Sequence, residues 1–172
     1  MIYEPREDSL LLAKHVKKLV KGKVLDLGCG SGIQAEAALE NTKDVFAADV
    51  NEEAVECCRG KGINAVQSDL FSNIKRKFDW VIFNPPYLPE DEEEPEESRL
   101  ITTGGKRGNE VIIKFLSKVK NYLRKDGKIL MIASTLTPDV EKTIEEKGLK
   151  FRALDEIKTF FESIKVYLIG RV

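Results

Sequence analysis

The sequence is poor in the residues that build metal sites, disulfide frameworks and histidine-dependent active sites. Its 172 residues include three cysteines and one histidine. Cys57 and Cys58 are neighbours and Cys29 forms no CxxC pair, so we expect free thiols and neither a disulfide framework nor a metal site. The histidine, His15, lies in a charged stretch that is predicted to be helical, where we expect it on the surface. A GxSxG segment is also absent, which argues against a serine hydrolase of that type.

Strong net charge and long apolar runs are missing too. The formal net charge is −1, so the chain as a whole is not built to coat a nucleic acid or an anionic membrane. The longest apolar runs have the length of a strand, and the N-terminus lacks the pattern of a secretion signal. We therefore expect a cytoplasmic protein without a membrane partner. With 42% hydrophobic and 33% charged residues, we predict one domain over 1–172, with a helical lead-in at 1–22.

The chain alternates between strand-like and helix-like segments. Strands are predicted over 23–28, 44–50, 63–69, 78–84, 128–134, 149–157 and 163–172. Helices are predicted over 9–20, 33–41, 52–62, 109–127 and 138–148. This alternation indicates an α/β fold of the Rossmann type, a seven-stranded and mostly parallel sheet with helices on both faces. Only the short link "KTFFE" joins the last two strands, so these two should pair antiparallel.

Four successive predicted strands are followed by residues that commonly hold ligands. In chain order these are the glycines of "DLGCGSG" (26–32), then Asp49, then Asp69 with Leu70, and then Asn84. In a parallel sheet such residues meet beyond the carboxyl ends of the strands. Each has a structural explanation of its own, a tight turn for the glycines and a helix cap for Asp49 or Asn51. Their combination favours a nucleoside-type ligand, with Asp49 accepting hydrogen bonds from ribose hydroxyls.

The fourth of these strands runs directly into Asn84-Pro85-Pro86-Tyr87. Prolines donate no backbone hydrogen bond and fix φ, so they end the strand and leave rigid, free carbonyl groups. Tyr87 either packs against a flat substrate group or fills space beneath the loop. The acidic run "EDEEEPEE" (90–97), within a loop predicted over 88–108, is either a solvated segment or a rim that repels phosphate and attracts a basic protein surface.

These motifs resemble those of class I S-adenosylmethionine-dependent methyltransferases that act on amino groups. Three stretches, "YEPREDSLLL" (3–12), "NPPYLPEDEE" (84–93) and "GGKRGNEVIIKFL" (104–116), are most similar to the short archaeal and eukaryotic branch of the HemK family. That resemblance implies a Rossmann-like class I fold and an enzyme that methylates a glutamine side-chain amide in a class-1 translation release factor. The NPPY motif is shared with adenine and guanine methyltransferases, so methylation of a nucleic-acid amino group remains the alternative. A non-enzymatic cofactor-binding protein is a third hypothesis.

The resemblance also assigns roles to the residues of the cofactor site. S-adenosyl-L-methionine is the implied cofactor. Asp26 and Gly28, with Gly30 in the same loop, are expected at its amino-acid end, and Asp49 at its ribose. Asp69 and Leu70 are expected to frame the adenine. Ser9 stands where the branch usually has a threonine near the cofactor.

The acceptor site and the partners follow from the same resemblance. The Asn84 carboxamide oxygen and the Pro85 carbonyl are expected each to accept one N–H of the acceptor amide, so that no strong general base is needed. Pro86 and Tyr87 complete this substrate site. The branch also implies a small zinc-binding activator subunit that covers the edge strand at 63–67, which would form a heterodimer with this chain.

Overall fold

The alternating pattern folds into a seven-stranded sheet with helices packed against it. The computed structural model describes residues 4–90 and 102–171. The strands are β1 (Val24–Leu27), β2 (Val45–Asp49), β3 (Asn64–Gln67), β4 (Phe78–Phe83), β5 (Leu123–Ser134), β6 (Leu149–Lys158) and β7 (Ser163–Arg171). The helices are α1 (Glu7–Leu19), α2 (Ile33–Leu39), α3 (Glu52–Gly60), α4 (Glu110–Lys118) with a 3₁₀ turn at Val119–Tyr122, and α5 (Val140–Glu146).

The order of strands across the sheet is β3-β2-β1-β4-β5-β7-β6. The pairs formed among β1 to β5 are all parallel, and β7 lies antiparallel between β5 and β6. The predicted antiparallel pairing of the last two strands is thus confirmed, as is the mostly parallel sheet with one antiparallel strand. Since the order reverses next to β1, the carboxyl ends of β1 and β4 border the crevice in which ligands of such sheets bind.

Two hydrophobic clusters cover the two faces of the sheet. Leu25 and Leu27 of β1 belong to the cluster with α4 and α5, and Val24 belongs to the cluster with α1, α2 and α3. This division follows from the two-residue period of a strand. None of the helices within residues 4–90 and 102–171 is long and apolar enough to cross a membrane.

The predicted helix at 109–127 is wrong in its second half. The α-helix ends at Lys118, a 3₁₀ turn follows, and β5 already begins at Leu123. Leu123 is buried and pairs with the first residue of β4, and a register shift follows before the regular pairing of β5 resumes. The prediction failed because the apolar spacing continues past the end of the helix. Tyr122 stacks on Phe71, with ring centroids 4.3 Å apart, and the spacing of residues does not reveal such a tertiary contact.

The expectation that His15 lies on the surface is also wrong. His15 is buried, and its Nε2 lies 2.9 Å from Asp155 Oδ2 of β6, which also accepts a hydrogen bond from Lys14 Nζ at 2.8 Å. Position 15 follows the buried Leu12 by three residues, so both lie on the face of α1 that packs against the sheet. The histidine therefore fastens α1 to β6 and takes no part in the cleft described below.

Candidate active site

A cleft of about 1190 Å³ opens at the carboxyl ends of the central strands. Its walls come from the first turn of α1 and from the segments that follow β1, β2, β3 and β4. The predicted site residues that line it are Ser9, Gly28, Gly30, Asp49, Asp69, Leu70, Asn84, Pro85, Pro86 and Tyr87. Ten of the eleven predicted positions therefore meet around one cavity, and Asp26 does not.

The glycine-rich turn after β1 is held tightly against its neighbours. Gly28 and Gly30 have φ angles of 67° and 50°, which are in the left-handed region that favours glycine. The N–H groups of Gly28 and Cys29 both donate to the carbonyl of Ala48, at 2.7 and 3.1 Å. A Cβ at Gly28 would lie 3.4 Å from the ring of Phe83. The bare backbone therefore forms one wall of the cleft.

Asp49 fixes the glycine turn as well as lining the cleft. Its Oδ2 accepts a hydrogen bond from Gly30 N at 2.9 Å, and its Oδ1 accepts one from Asn51 N at 2.8 Å. The helix-capping role considered above belongs to Asn51, which accepts from Glu53 N at 3.0 Å. Because each carboxylate oxygen can accept more than one hydrogen bond, Asp49 keeps acceptor capacity toward the cleft.

Asp26 lies beneath the cleft and not in its wall. It is 1% exposed, on the face of β1 that packs against α2, and its Oδ2 accepts a hydrogen bond from Ala35 N at 3.0 Å. Burial raises the pKa of Asp26 well above its ordinary value, and the nearby Cys58 adds to this increase. In this structure its carboxyl group supports α2 below the glycine turn, and its contact with a cofactor stays a prediction.

The turn after β3 holds Leu70 in a strained conformation. Leu70 has a φ angle of 48°, which costs a non-glycine residue about 1 kcal/mol or more. The Ser68 hydroxyl maintains this turn, since it donates to Leu70 O at 2.8 Å and accepts from Asn73 N at 3.0 Å. The result is an apolar side chain next to Asp69 on the cleft wall.

Asn84 lies at the centre of a small polar cluster at the end of β4. Its Nδ2 donates to Asp8 Oδ2 at 3.0 Å and lies 3.4 Å from Ser9 Oγ. The hydroxyl of Tyr87 reaches the same Asp8 oxygen at 3.4 Å. The other end of the Asn84 amide, Oδ1, is buried and accepts no hydrogen bond within residues 4–90 and 102–171. Such an acceptor costs about 1–3 kcal/mol when it is left without a donor, which marks a place for a ligand N–H.

The two prolines extend the wall of the cleft from Asn84. Both line the cavity, and the Pro85 carbonyl accepts no hydrogen bond from any of the described residues. Just beyond them, Thr137 Oγ1 donates to the carbonyl of Tyr87 at 2.7 Å. The ring of Tyr87 packs against both hydrophobic clusters, so it fills space beneath the loop as well as lining the cleft.

The "GGKRGNE" segment (104–110) and the residues just before it pack against the NPPY loop through backbone hydrogen bonds and close backbone contacts. Leu88 N donates to Thr102 O and Gly104 N donates to Leu88 O, each at 2.9 Å. A Cβ at Gly104 would lie 2.2 Å from Gly108 O and 2.6 Å from Pro86 O, so only glycine fits there. The glycines of this motif therefore allow its backbone to pack in direct contact with the backbone of the NPPY loop. Of the loop predicted over 88–108, residues 91–101 lie outside the described residues, as does most of the acidic run.

The cysteines take no position that suggests a bound metal. All three are free, and the Cys58 thiol donates to Cys29 Sγ at 3.4 Å beneath the glycine turn. Among the residues the structure describes, no three histidine, cysteine, aspartate or glutamate side chains are grouped as a metal site.

Sequence reasoning gave no role to Asp8. It belongs to the "YEPREDSLLL" stretch, which was informative as a motif, but 76 positions separate it from Asn84 along the chain. Nothing in the spacing of the sequence indicates that the first turn of α1 folds over the end of β4. Two neighbouring polar residues, Asp8 and Ser9, just before the apolar run at 10–13 were the available signal.

The lining of the cleft suits the expected cofactor. Carboxylates from the ends of β2 and β3 face the same space as an apolar side chain and a bare glycine backbone. A nucleoside offers ribose hydroxyls as donors and a flat, weakly polar base, which matches this combination. Asp49 and Asp69 with Leu70 would hold those parts, while Gly28 and Gly30 leave room beside them.

Comparison with known proteins agrees with this geometry. The family described as "Methyltransferase small domain" matches residues 6–161. The chain belongs to this family. A family relative from Methanocaldococcus jannaschii, provisionally named a protein N5-glutamine methyltransferase, is 35% identical over 96% of this chain and 89% of its own. A more distant match is a Haemophilus influenzae "Ribosomal RNA small subunit methyltransferase C", 28% identical over 74% of this chain and 37% of that protein.

A solved structure covers the whole chain. The E. cuniculi structure described as an Mtq2–Trm112 complex responsible for methylation of the eRF1 translation termination factor is 28% identical to this chain. The superposition has a TM-score of 0.81 and covers 99% of each chain. The Rossmann-like class I fold expected from the sequence is thereby confirmed.

Proposed function

We propose that this chain is an S-adenosylmethionine-dependent N-methyltransferase whose acceptor is a glutamine side-chain amide in a class-1 translation release factor. The observation that carries this proposal is that Asn84 and Pro85 line the cleft side by side, and that neither Asn84 Oδ1, which is buried, nor the Pro85 carbonyl has a hydrogen-bond donor among the described residues. A primary amide presents two N–H groups to such a pair. The M. jannaschii relative and the E. cuniculi complex support the same acceptor by their descriptions.

The amide nitrogen is a weak nucleophile, because its lone pair is delocalised into its carbonyl group. When bound, S-adenosylmethionine supplies an electrophilic methyl group on a sulfonium. Asn84 and Pro85 accept the two N–H groups of the acceptor and thereby orient its nitrogen. The same two oxygen dipoles stabilise the positive charge that develops on the nitrogen during transfer.

A strong general base is not required by this arrangement. The sole histidine is buried against Asp155, away from the cleft wall. Tyr87 closes the acceptor side and excludes water, while its hydroxyl stays anchored on Asp8. The nitrogen loses its proton to solvent after the methyl group has been transferred.

The charge around the cleft favours a protein acceptor over a nucleic acid. Among the described residues that line it, six are acidic and three are basic. The acidic ones are Glu7, Asp8, Asp49, Asp69, Glu90 and Glu162, and the basic ones are Arg6, Lys106 and Lys114. A phosphate backbone would be repelled by this excess, whereas a basic protein surface would be attracted. Methylation of a nucleic-acid amino group remains the second candidate, since an NPPY motif also serves there.

The edge of the sheet provides a surface for a small partner subunit. β3 (Asn64–Gln67) ends the strand order, and among the strands that the structure describes it pairs only with β2. The proposed subunit extends the sheet along this free edge and holds its own zinc ion. Co-expression tests this part: a stable heterodimer that is more active than the chain alone supports it, and a chain that is monomeric and fully active by itself overturns it.

The acceptor is tested by transfer of radiolabelled methyl groups. Purified release factor, the same factor with its Gly-Gly-Gln glutamine replaced by alanine, and RNA and DNA oligonucleotides are compared as substrates. We expect label only in the unmodified release factor. Label that appears only in nucleic acid overturns the proposal.

The role of Asn84 is tested in the same assay. Asn84→Ala should lower kcat by roughly 10²- to 10³-fold, the loss typical of one preorganised polar group. Asn41→Ala is the matched control, since its Nδ2 donates to Lys17 O and Val20 O at 2.7 and 3.1 Å, outside the cleft. We expect that control to lose stability and keep its kcat. Unchanged turnover in Asn84→Ala would exclude the proposed role.

A further inference from the structure

Asp8 is a buried carboxylate that the proposed reaction does not use directly. It lies in the first turn of α1, is 3% exposed, and lines the acceptor side of the cleft. Its Oδ1 accepts from Ser9 N at 2.7 Å and lies 3.3 Å from Ser9 Oγ. Its Oδ2 accepts from Asn84 Nδ2 at 3.0 Å and from the Tyr87 hydroxyl at 3.4 Å. Both oxygens are therefore turned to donors that belong to the site.

The carboxylate decides which way the amide of Asn84 faces. An asparagine amide has nearly the same shape in its two orientations, and only its hydrogen-bond partners distinguish NH₂ from oxygen. An ionised carboxylate accepts hydrogen bonds and donates none, so the amide must turn its NH₂ toward Asp8. Oδ1 is then left at the opposite end without a donor. A flipped Asn84 would offer the acceptor two N–H groups where it needs an oxygen.

We propose that Asp8 is a positioning residue that locks Asn84 with its carboxamide oxygen available to the acceptor amide, and that it anchors Tyr87 at the same time. This inference rests on the proposed function, because it concerns the group that receives the acceptor N–H. Asp8 acts through Asn84 and needs no contact with the methyl group or the acceptor.

The position of Asp8 is itself fixed by the fold. The neighbouring Ser9 carbonyl accepts a hydrogen bond from Gln34 Nε2 of α2 at 2.9 Å. The other side of α1 is fastened to β6 through Asp155. The hydrogen bond from Gln34 therefore holds the first turn of the helix, whereas Asp155 holds the helix roughly two turns farther along. The carboxylate of Asp8 can thus hold an amide at the end of β4.

A double-mutant cycle tests the proposal in the complete enzyme with release factor as acceptor. Asp8→Ala should lower kcat by about 10- to 100-fold, the loss typical of a reacting group misplaced by about 1 Å. The KM for release factor and the dissociation constant of S-adenosylhomocysteine should change by less than about threefold. In an Asn84→Ala background the same substitution should cost less than about threefold, because its target is gone. A full, independent loss in that background overturns the proposal.

Asp8→Asn separates orientation from simple packing. The substituted amide keeps the shape of the side chain but has only one oxygen. If that oxygen faces Ser9 N, its NH₂ meets the NH₂ of Asn84, and Asn84 is favoured in the wrong orientation. Asp8→Asn should therefore lose at least as much kcat as Asp8→Ala, although it fills the same volume. Wild-type kcat in Asp8→Asn contradicts the proposal.

A measurement that needs no acceptor separates failure of this inference from failure of the proposed function. In ¹⁵N-labelled protein, the side-chain NH₂ signals of Asn84, assigned by their loss in Asn84→Ala, should be well separated and slow to exchange with water. Asp8→Ala should bring them close to those of an exposed asparagine. Rapid exchange in the wild type would overturn the role of Asp8, whatever substrate is methylated.

The control for stability is Asp155→Asn, which removes another carboxylate that holds α1 but lies outside the cleft. Its thermal unfolding should shift while its kcat and the Asn84 signals stay unchanged. If the control loses kcat as much as Asp8→Ala does, the effect belongs to anchoring of the helix and the proposal is wrong.

Discussion

Gly104 offers a sharp test of how closely the NPPY loop is supported. In Gly104→Ala the new Cβ would lie 2.2 Å from Gly108 O and 2.6 Å from Pro86 O, and both are backbone atoms. Real Cβ atoms essentially never approach closer than 3.0 Å, so the Gly108 carbonyl must move by about 0.8 Å and the Pro86 carbonyl of the NPPY loop by about 0.4 Å. Such a shift moves the carbonyl groups next to Asn84, and 1 Å of misplacement can cost about 100-fold in rate.

The expected result is a selective loss of turnover. Gly104→Ala should lower kcat by roughly 10- to 100-fold and destabilise the fold by about 1–3 kcal/mol, as overpacking does. For a chain of this size that corresponds to about 2–12 °C in Tm. Binding of S-adenosylhomocysteine, measured by calorimetry, should stay within about threefold, because the glycine turn and Asp49 lie on other strands.

The matched control is Gly60→Ala. Gly60 is the last residue of α3, has no positive φ and has no atom within 4 Å of an added Cβ. This substitution should leave kcat unchanged and raise stability by up to about 1 kcal/mol, since alanine is the better helix former. If folded Gly104→Ala turns over release factor at the wild-type rate, the close contact between the two loops does not position the acceptor site.

Two further predictions concern buried and paired carboxylates. The raised pKa of Asp26 means that the folded state favours its protonated form, so its contribution to stability is complete below the ordinary pKa of about 3.9 and is lost as the pH rises through the folded value. Relative to wild type, Asp26→Asn should therefore gain thermal stability toward alkaline pH, and a difference that stays constant with pH would contradict this. The Lys14 and His15 hydrogen bonds lower the pKa of Asp155, so its contribution is present above about pH 4 and is lost as the pH falls through the depressed value. Because part-exposed ion pairs contribute modestly to stability, Asp155→Asn should lower the free energy of unfolding by about 1 kcal/mol at pH 7. Near pH 2 the loss should be small. Denaturant titrations measure both values, and an equal loss at the two pH values would show that the charge of Asp155 does not stabilise the fold.

The sequence predicted those parts of the site that depend on local position in the chain. Asp49 is the last residue of β2, Asp69 comes two residues after β3 and Asn84 directly follows β4, and the carboxyl ends of parallel strands meet at one edge of the sheet. Knowledge of the strands was therefore enough to bring these residues together. The end of α4 at Lys118 escaped prediction because the apolar spacing continues beyond it.

Contacts across the fold could not be predicted in this way. Asp8 reaches Asn84 from α1, and His15 is buried because β6 supplies a carboxylate for it. Asp26 follows the motif of the cofactor site but faces α2, since its neighbours in β1 point to the opposite side of the sheet. Each outcome depends on which element packs against which, and spacing along the chain carries no such information.

The NPPY motif gains its geometry from segments that are far apart in the sequence. β4 lies in the interior of the sheet, between β1 and β5, so Asn84 starts from a rigid strand end. The prolines then fix the backbone, but they do not determine how the Asn84 amide turns or how far the loop stands from its neighbours. Asp8 supplies the first constraint and Gly104 the second. If both arguments hold, substitutions at residues 8 and 104 should reproduce the kinetic defect of Asn84→Ala while the motif itself remains intact.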